Sequence, residues 1–126
     1  MRRIAPLLLL AGLAACEAPA ALPRPGDPRV ILTPVVAQNL AVSEPSVSTL
    51  PDGRMRVVVN IQNPAPSDFP LRMQTDWLDS GGRPLPSVAN RPVFRSIARS
   101  TVTPIDTDAP SSRARDFRMT LDIESP

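Results

Sequence analysis

Few side chains in this sequence are suited to chemistry, and their spacing limits what they can do. Of its 126 residues none is histidine or tyrosine, and one is cysteine. Zinc sites, histidine-based triads, internal disulfides and iron–sulfur clusters are thereby excluded or nearly so. The acid–base groups left are carboxylates. Asp76 and Asp79 stand three apart, which on a strand sends them to opposite faces, where they cannot share a substrate. Asp106 and Asp108 share a parity, but they fall between Pro104 and Pro110 and read as solvated loop acids, with no histidine or lysine to tune them. Oxygen ligands at Asp106, Thr107 and Asp108 would suit Ca²⁺, yet the glycine-containing spacing of calcium loops is missing. Ser111 and Ser112 have no base partner to activate them. The expectation is a protein that is not an enzyme, with no cofactor and no metal.

The basic residues are all arginine, 14 in number. Two of them, Arg2 and Arg3, open the chain, so without its first fifteen residues 12 arginines face 12 acids. That balance weakens any case for nucleic acid, where a basic face supplies most of the affinity. Arg91, Arg95 and Arg99 recur every four residues. On a helix they would form one stripe; on a strand their shared odd parity puts Arg95 and Arg99 on one face. Such a face suits lipid phosphates or an acidic protein partner, or it is a solvated outer surface. Arg113-Ala114-Arg115 is a weaker signal of the same kind.

The single cysteine has a more specific setting. Met1-Arg2-Arg3 is followed by twelve residues, Ile4 to Ala15, made of Leu, Ala, Ile, Gly and Pro. As a helix this run would rise about 18 Å, short of the ~30 Å hydrocarbon core. It has the size of a secretory h-region rather than of a span. It ends in Leu13-Ala14-Ala15-Cys16, which resembles a bacterial lipobox. The resemblance implies a signal peptide over residues 1–15, a diacylglyceryl thioether on the Cys16 sulfur, cleavage before Cys16 and acylation of the new amino terminus. Small side chains at Ala14 and Ala15 admit a peptidase, the thiolate is the nucleophile, and several acyl chains anchor where one would be marginal. Glu17 follows the cysteine in place of Asp, which in the sorting pattern this resembles favours the outer membrane. The competing reading is an ordinary signal peptide with an incidental Cys16.

Residues 16–28 contain Pro19, Pro23, Pro25 and Pro28, which fix φ and remove donors, so neither helix nor central strand is expected there. Extended, they form a tether reaching roughly 30–35 Å at ~3 Å per residue, or a tail with no spacing role. Over residues 29–126 the apolar period is two. Met55, Val57, Val59 and Ile61 share one face; so do Leu71, Met73, Thr75 and Trp77, and so do Phe117, Met119, Leu121 and Ile123. Such alternation marks strands with one buried face. Shorter candidates are Val30 to Val36, Leu40 to Thr49, Val93 to Ala98 and Thr101 to Ile105, separated by turn signals such as Pro51-Asp52-Gly53 and Ser80-Gly81-Gly82. The spacing predicts an all-β fold, a small antiparallel immunoglobulin-like sandwich of six to seven strands. Trp77 is the expected core centre, with Phe69, Phe94 and Phe117 the other aromatics.

The segment Val57-Val58-Val59-Asn60-Ile61-Gln62-Asn63, then Leu71-Arg72-Met73-Gln74-Thr75-Asp76-Trp77-Leu78-Asp79-Ser80-Gly81-Gly82, resembles the YcfL-like family of small bacterial outer-membrane lipoproteins. That family couples a lipobox to a strand ending in Asn and an aromatic-bearing strand that runs into Asp-x-x-Gly. Later come an Ala-Pro turn and a closing aromatic-Arg pair, matched here by Trp77-Leu78-Asp79-x-x-Gly82, Ala109-Pro110 and Phe117-Arg118. The match covers roughly residues 55 to 123. Leu71 or Met73 replaces the family's early aromatic, and a second Trp is absent near Pro92-Val93-Phe94. The resemblance implies a lipid-anchored protein on the periplasmic face of the outer membrane, with Cys16 held in the bilayer and Trp77, Asp79 and Gly82 as structural residues. The function expected is a non-enzymatic protein–protein contact or envelope-accessory role, with Arg91, Arg95 and Arg99 as partner face. The alternative is a spanin-like structural lipoprotein of phage origin, which also joins a lipobox to many prolines.

Overall fold

A computed structural model describes residues 22–86 and 90–125. Cys16, and with it the lipobox and signal-peptide reading, lies outside the described residues. Eight strands follow in chain order: β1 (Val30–Leu32), β2 (Ala41–Val42), β3 (Ser46–Thr49), β4 (Met55–Asn63), β5 (Phe69–Leu78), β6 (Val93–Ile97), β7 (Thr101–Asp108) and β8 (Asp116–Ile123). One short helix, α1 (Pro34–Asn39), lies between β1 and β2.

The three long alternating runs are the three central strands. β5 and β8 pair antiparallel from Leu71↔Ile123 to Leu78↔Asp116, and with β1 and β6 they make one sheet in the order β1-β8-β5-β6. In the other sheet β4 pairs along its length with β7, so β2 and β3 must lie in line along its opposite side. All pairings are antiparallel except β1–β8, which is parallel. The sandwich is therefore all-β, as the period of two predicts, with one parallel edge that periodicity does not reveal.

Between the sheets Val57, Val59 and Ile61 meet Leu71, Trp77, Met119 and Leu121, all fully buried. Trp77 lies opposite Phe117, their rings 6.3 Å apart and tilted by 55°, the geometry that aromatic quadrupoles favour. Burial of an indole of 150–250 Å² is worth about 4–6 kcal/mol. Thr75 Oγ1 and Trp77 Nε1 are buried without a hydrogen-bond partner among the described residues.

Three sequence expectations change. Val30 to Val36 is a strand only as far as Leu32, because Pro34 at the first helical turn has the φ a helix needs. Leu40 to Thr49 is two strands, since Ser43-Glu44-Pro45 face only Val59 and Asn60, a one-residue excess that kinks the edge. There Ser43 Oγ accepts the Asn60 N–H at 2.8 Å and keeps the ladder satisfied. Phe94 is no core residue: it is 48% exposed.

Candidate functional site

The arginine face starts from β6. Its register, Phe69↔Ile97, Leu71↔Arg95 and Met73↔Val93, gives Arg95 the parity of the core face, while Phe94 lies opposite Arg72 on the outer face. Because β6 is the sheet edge, Arg95 still reaches solvent, and its Nη1 donates to the Phe94 carbonyl at 3.4 Å. Arg91 precedes the strand and Arg99 follows it in a turn, where the Arg99 backbone N–H donates to Asp68 Oδ1 at 2.9 Å. The three arginines thus line the length of the β6 edge without forming one strand face. Among the described residues none of their guanidiniums is in an ion pair. An exposed Phe94 between them completes an aromatic–arginine surface.

Asp79, Asp106 and Asp108 are committed elsewhere. Asp79 Oδ1 accepts the N–H groups of Gly81 (2.9 Å) and Arg83 (3.0 Å), and these amides hold its carboxyl below the usual range. Gly82 supplies φ 76°, so this turn is built as its Asp-x-x-Gly spacing suggests. Asp106 and Asp108 are not loop acids but members of β7, and they straddle Arg56 of β4. Arg56 Nη2 donates to Asp106 at 2.7 Å, and its Nε lies 3.0 Å from Asp108 off the line of a hydrogen bond. Asp106 first, then Asp108, raises the Arg56 pKa. Ser111 Oγ accepts the Arg113 N–H at 3.3 Å, inside the loop before β8. Among the described residues no three metal-ligating side chains gather, and no helix is long and apolar enough to cross a membrane.

A shallow cleft of about 170 Å³ lies on the outer face of the second sheet. It runs between β2 and β7 over Asn60 and Gln62, with Ala41, Val42 and the exposed Val102 beside it. One wall is Pro23, from the segment expected to be a free tether. The Val42 N–H donates to Pro23 O at 3.0 Å, and the Glu44 carboxylate accepts the N–H groups of Gly26 and Asp27. Residues 23–27 are a strap along the β2 edge.

Three anchoring residues also have distant partners that spacing does not reveal. Arg29 binds Asp27 (2.8 Å) and Asp116 (3.1 Å) while its guanidinium carbon sits 4.5 Å over the Phe117 ring, and Asp27 raises its pKa further above the usual arginine value. Buried Asn63 donates to the carbonyls of Ser67 (2.9 Å) and Ile97 (3.0 Å) and accepts the Ala65 N–H (3.0 Å), tying the end of β4 to β6. Arg54 binds Asp52 and the Ala109 carbonyl.

No family model matches the chain, and no curated protein matches it. Two solved structures are similar. Cj0090 of Campylobacter jejuni has a TM-score of 0.66 at 22% identity, covering 78% of this chain and 100% of its own. A DUF1425 family member from Shewanella sp. pv-4, solved at 1.81 Å, has a TM-score of 0.59 at 15% identity, covering 69% of this chain and 80% of its own. Both are small bacterial proteins. At these identities the likeness establishes the fold.

Proposed function

We propose that this chain is a non-enzymatic outer-membrane lipoprotein of the YcfL-like kind, facing the periplasm and serving protein–protein contact. The observation that carries the reading is the β6 edge. A half-exposed phenylalanine with three arginines that form no ion pair among the described residues is the composition of an interface centre, where aromatics and arginine are enriched. Of the candidate acids, Asp79 is spent on turn amides and Asp106 and Asp108 on Arg56, while Asp76, among the described residues, accepts only from Gln74 at 3.5 Å. Leu13-Ala14-Ala15-Cys16 supports the anchor and the envelope address, and the fold shared with a DUF1425 family member supports a likeness in fold to small bacterial proteins.

The test places a photo-crosslinking amino acid at Phe94 of the full chain in living cells, with Arg95 and Arg99 intact. A single saturable adduct with an acidic envelope protein, lost with Arg95→Glu and Arg99→Glu, is the expected result. Adducts that are absent, or unchanged by the two replacements, remove the proposed partner face. Lipid labelling abolished by Cys16→Ala checks the anchor separately.

A further inference from the structure

Sheet edges offer unpaired N–H and C=O groups to any passing strand, and proteins normally guard them. Most of the edges here are guarded. In β7, the Ala109 N–H donates to Met55 O at 2.8 Å, so odd-numbered residues face β4 and Val102, Pro104 and Asp106 turn their backbones outward. Pro104 therefore sits where a docking strand would want a donor. In β6, Arg95 carries a charge on the inward parity and covers the Phe94 carbonyl. β1 is only three residues long. On β2 the outward N–H, that of Val42, already binds the strap.

β3 differs. The Leu50 N–H donates to Arg54 O at 2.8 Å, and the same alternation turns the backbones of Val47 and Thr49 away from β4. Ser46, Val47, Ser48 and Thr49 are all exposed and uncharged, and no described strand pairs with their outer side. We infer that β3 is a docking edge for a second copy of this chain, the two β3 strands pairing antiparallel about a two-fold axis at Ser48.

The strand is complementary to itself in that register. Val47 of one copy lies opposite Thr49 of the other, a favourable β-branched pair, and each such pair exchanges two backbone hydrogen bonds. No charge meets its own image. The next outward positions are Pro45 and Pro51, which lack an N–H, so the ladder stops at four bonds and cannot grow into an open array. A two-residue slip would need a carbonyl from Pro45 in the kink or Pro51 in the turn. Beyond the prolines, Glu44 is occupied by strap amides and Asp52 by Arg54 at 2.6 Å. The product is one sheet in the order β7-β4-β3-β3-β4-β7. Four bonds make a weak dimer in dilute solution and a stronger one where copies share a surface. This inference is independent of the β6 edge.

Full-length chain carrying Ser48→Cys provides the test, expressed in a bacterial envelope and mildly oxidised. Across the axis Ser48 faces its own mate in a pair without hydrogen bonds, with Cα atoms about 4.5 Å apart, inside the disulfide range. Wild type sets the baseline for any disulfide through Cys16, and Val102→Cys on the guarded edge sets it for chance collision. Ser48→Cys is expected to exceed both about fivefold, and adding Val47→Asp with Thr49→Asp, which sets carboxylates face to face on exposed positions, lowers the yield about fivefold. Equal yields at positions 48 and 102, indifference to the two acids, or a disulfide from position 48 to a different protein each overturn the inference.

Discussion

Replacing Asn63 by alanine tests whether one buried amide holds the two sheets in register. The change removes a buried hydrogen bond to Ile97 O and two half-buried ones, to Ser67 O and from the Ala65 N–H. A buried carbonyl left without a donor costs about 1–3 kcal/mol, and each half-buried bond about 0.5–1.5 kcal/mol. Their sum centres on about 4 kcal/mol, a large part of the ~5–15 kcal/mol that a domain of this size holds. At about 4–8 °C per kcal/mol, Tm should fall by about 16–32 °C. Urea unfolding followed by far-UV circular dichroism and by Trp77 fluorescence measures the loss. Asn63→Asp sharpens the test. It keeps the acceptor for Ala65 but aims carboxylate oxygens at two carbonyls, which raises its folded pKa. Stability should then drop further below wild type as the pH rises from about 4 to 7, because the folded form resists ionisation. If both variants unfold within 1 kcal/mol of wild type, the clasp is not what aligns β4 with β6.

The remaining predictions concern the core, the surface carboxylates and a turn. Thr75→Val keeps the shape and removes an unpartnered buried hydroxyl, so the urea midpoint should rise, by on the order of 1 kcal/mol in stability. Trp77→Ala should lose about 3–5 kcal/mol, and an unchanged midpoint would deny it the core centre. Asp27 and Asp52, held low by the Arg29 and Arg54 side chains, and Asp79, held low by the Arg83 and Gly81 amides, titrate lower folded than unfolded. The unfolded chain therefore binds protons first: their contribution is intact above about pH 4 and declines as the pH falls through the folded values, which a series of urea midpoints from pH 7 to 3 would follow. Gly82→Ala, at φ 76°, should destabilise by about 1 kcal/mol, seen as a lower Tm.

Periodicity identifies strands and their buried parity well where both faces differ strongly, as in Val57-Val59-Ile61, Leu71-Met73-Thr75-Trp77 and Phe117-Met119-Leu121. It says nothing about which strand ends as an edge. Phe94 and Arg95 exchange their expected roles for that reason alone: parity points Arg95 inward, but β6 is at the rim. Asp106 and Asp108 were hidden because Pro104 reads as a stop, whereas an outward-facing edge position tolerates it. The Asp79–Gly82 turn was legible because its bonds span four residues. Glu44 with Gly26, or Asn63 with Ile97, join positions 18 and 34 apart, and no local pattern encodes such partners.

The strap beside β2 also sets a length scale. The described domain is fastened from Pro23 onward, and the six peptide steps that separate Cys16 from Leu22 in the sequence can span at most about 22 Å. That is less than the ~30 Å width of a domain this size. With lipid on Cys16, that upper bound would keep the sandwich close to the bilayer and limit it to partners in that layer. Glu44 then acts as the catch on a folded extension: releasing residues 23–27 would add roughly 15 Å of radius without any change in the sandwich itself.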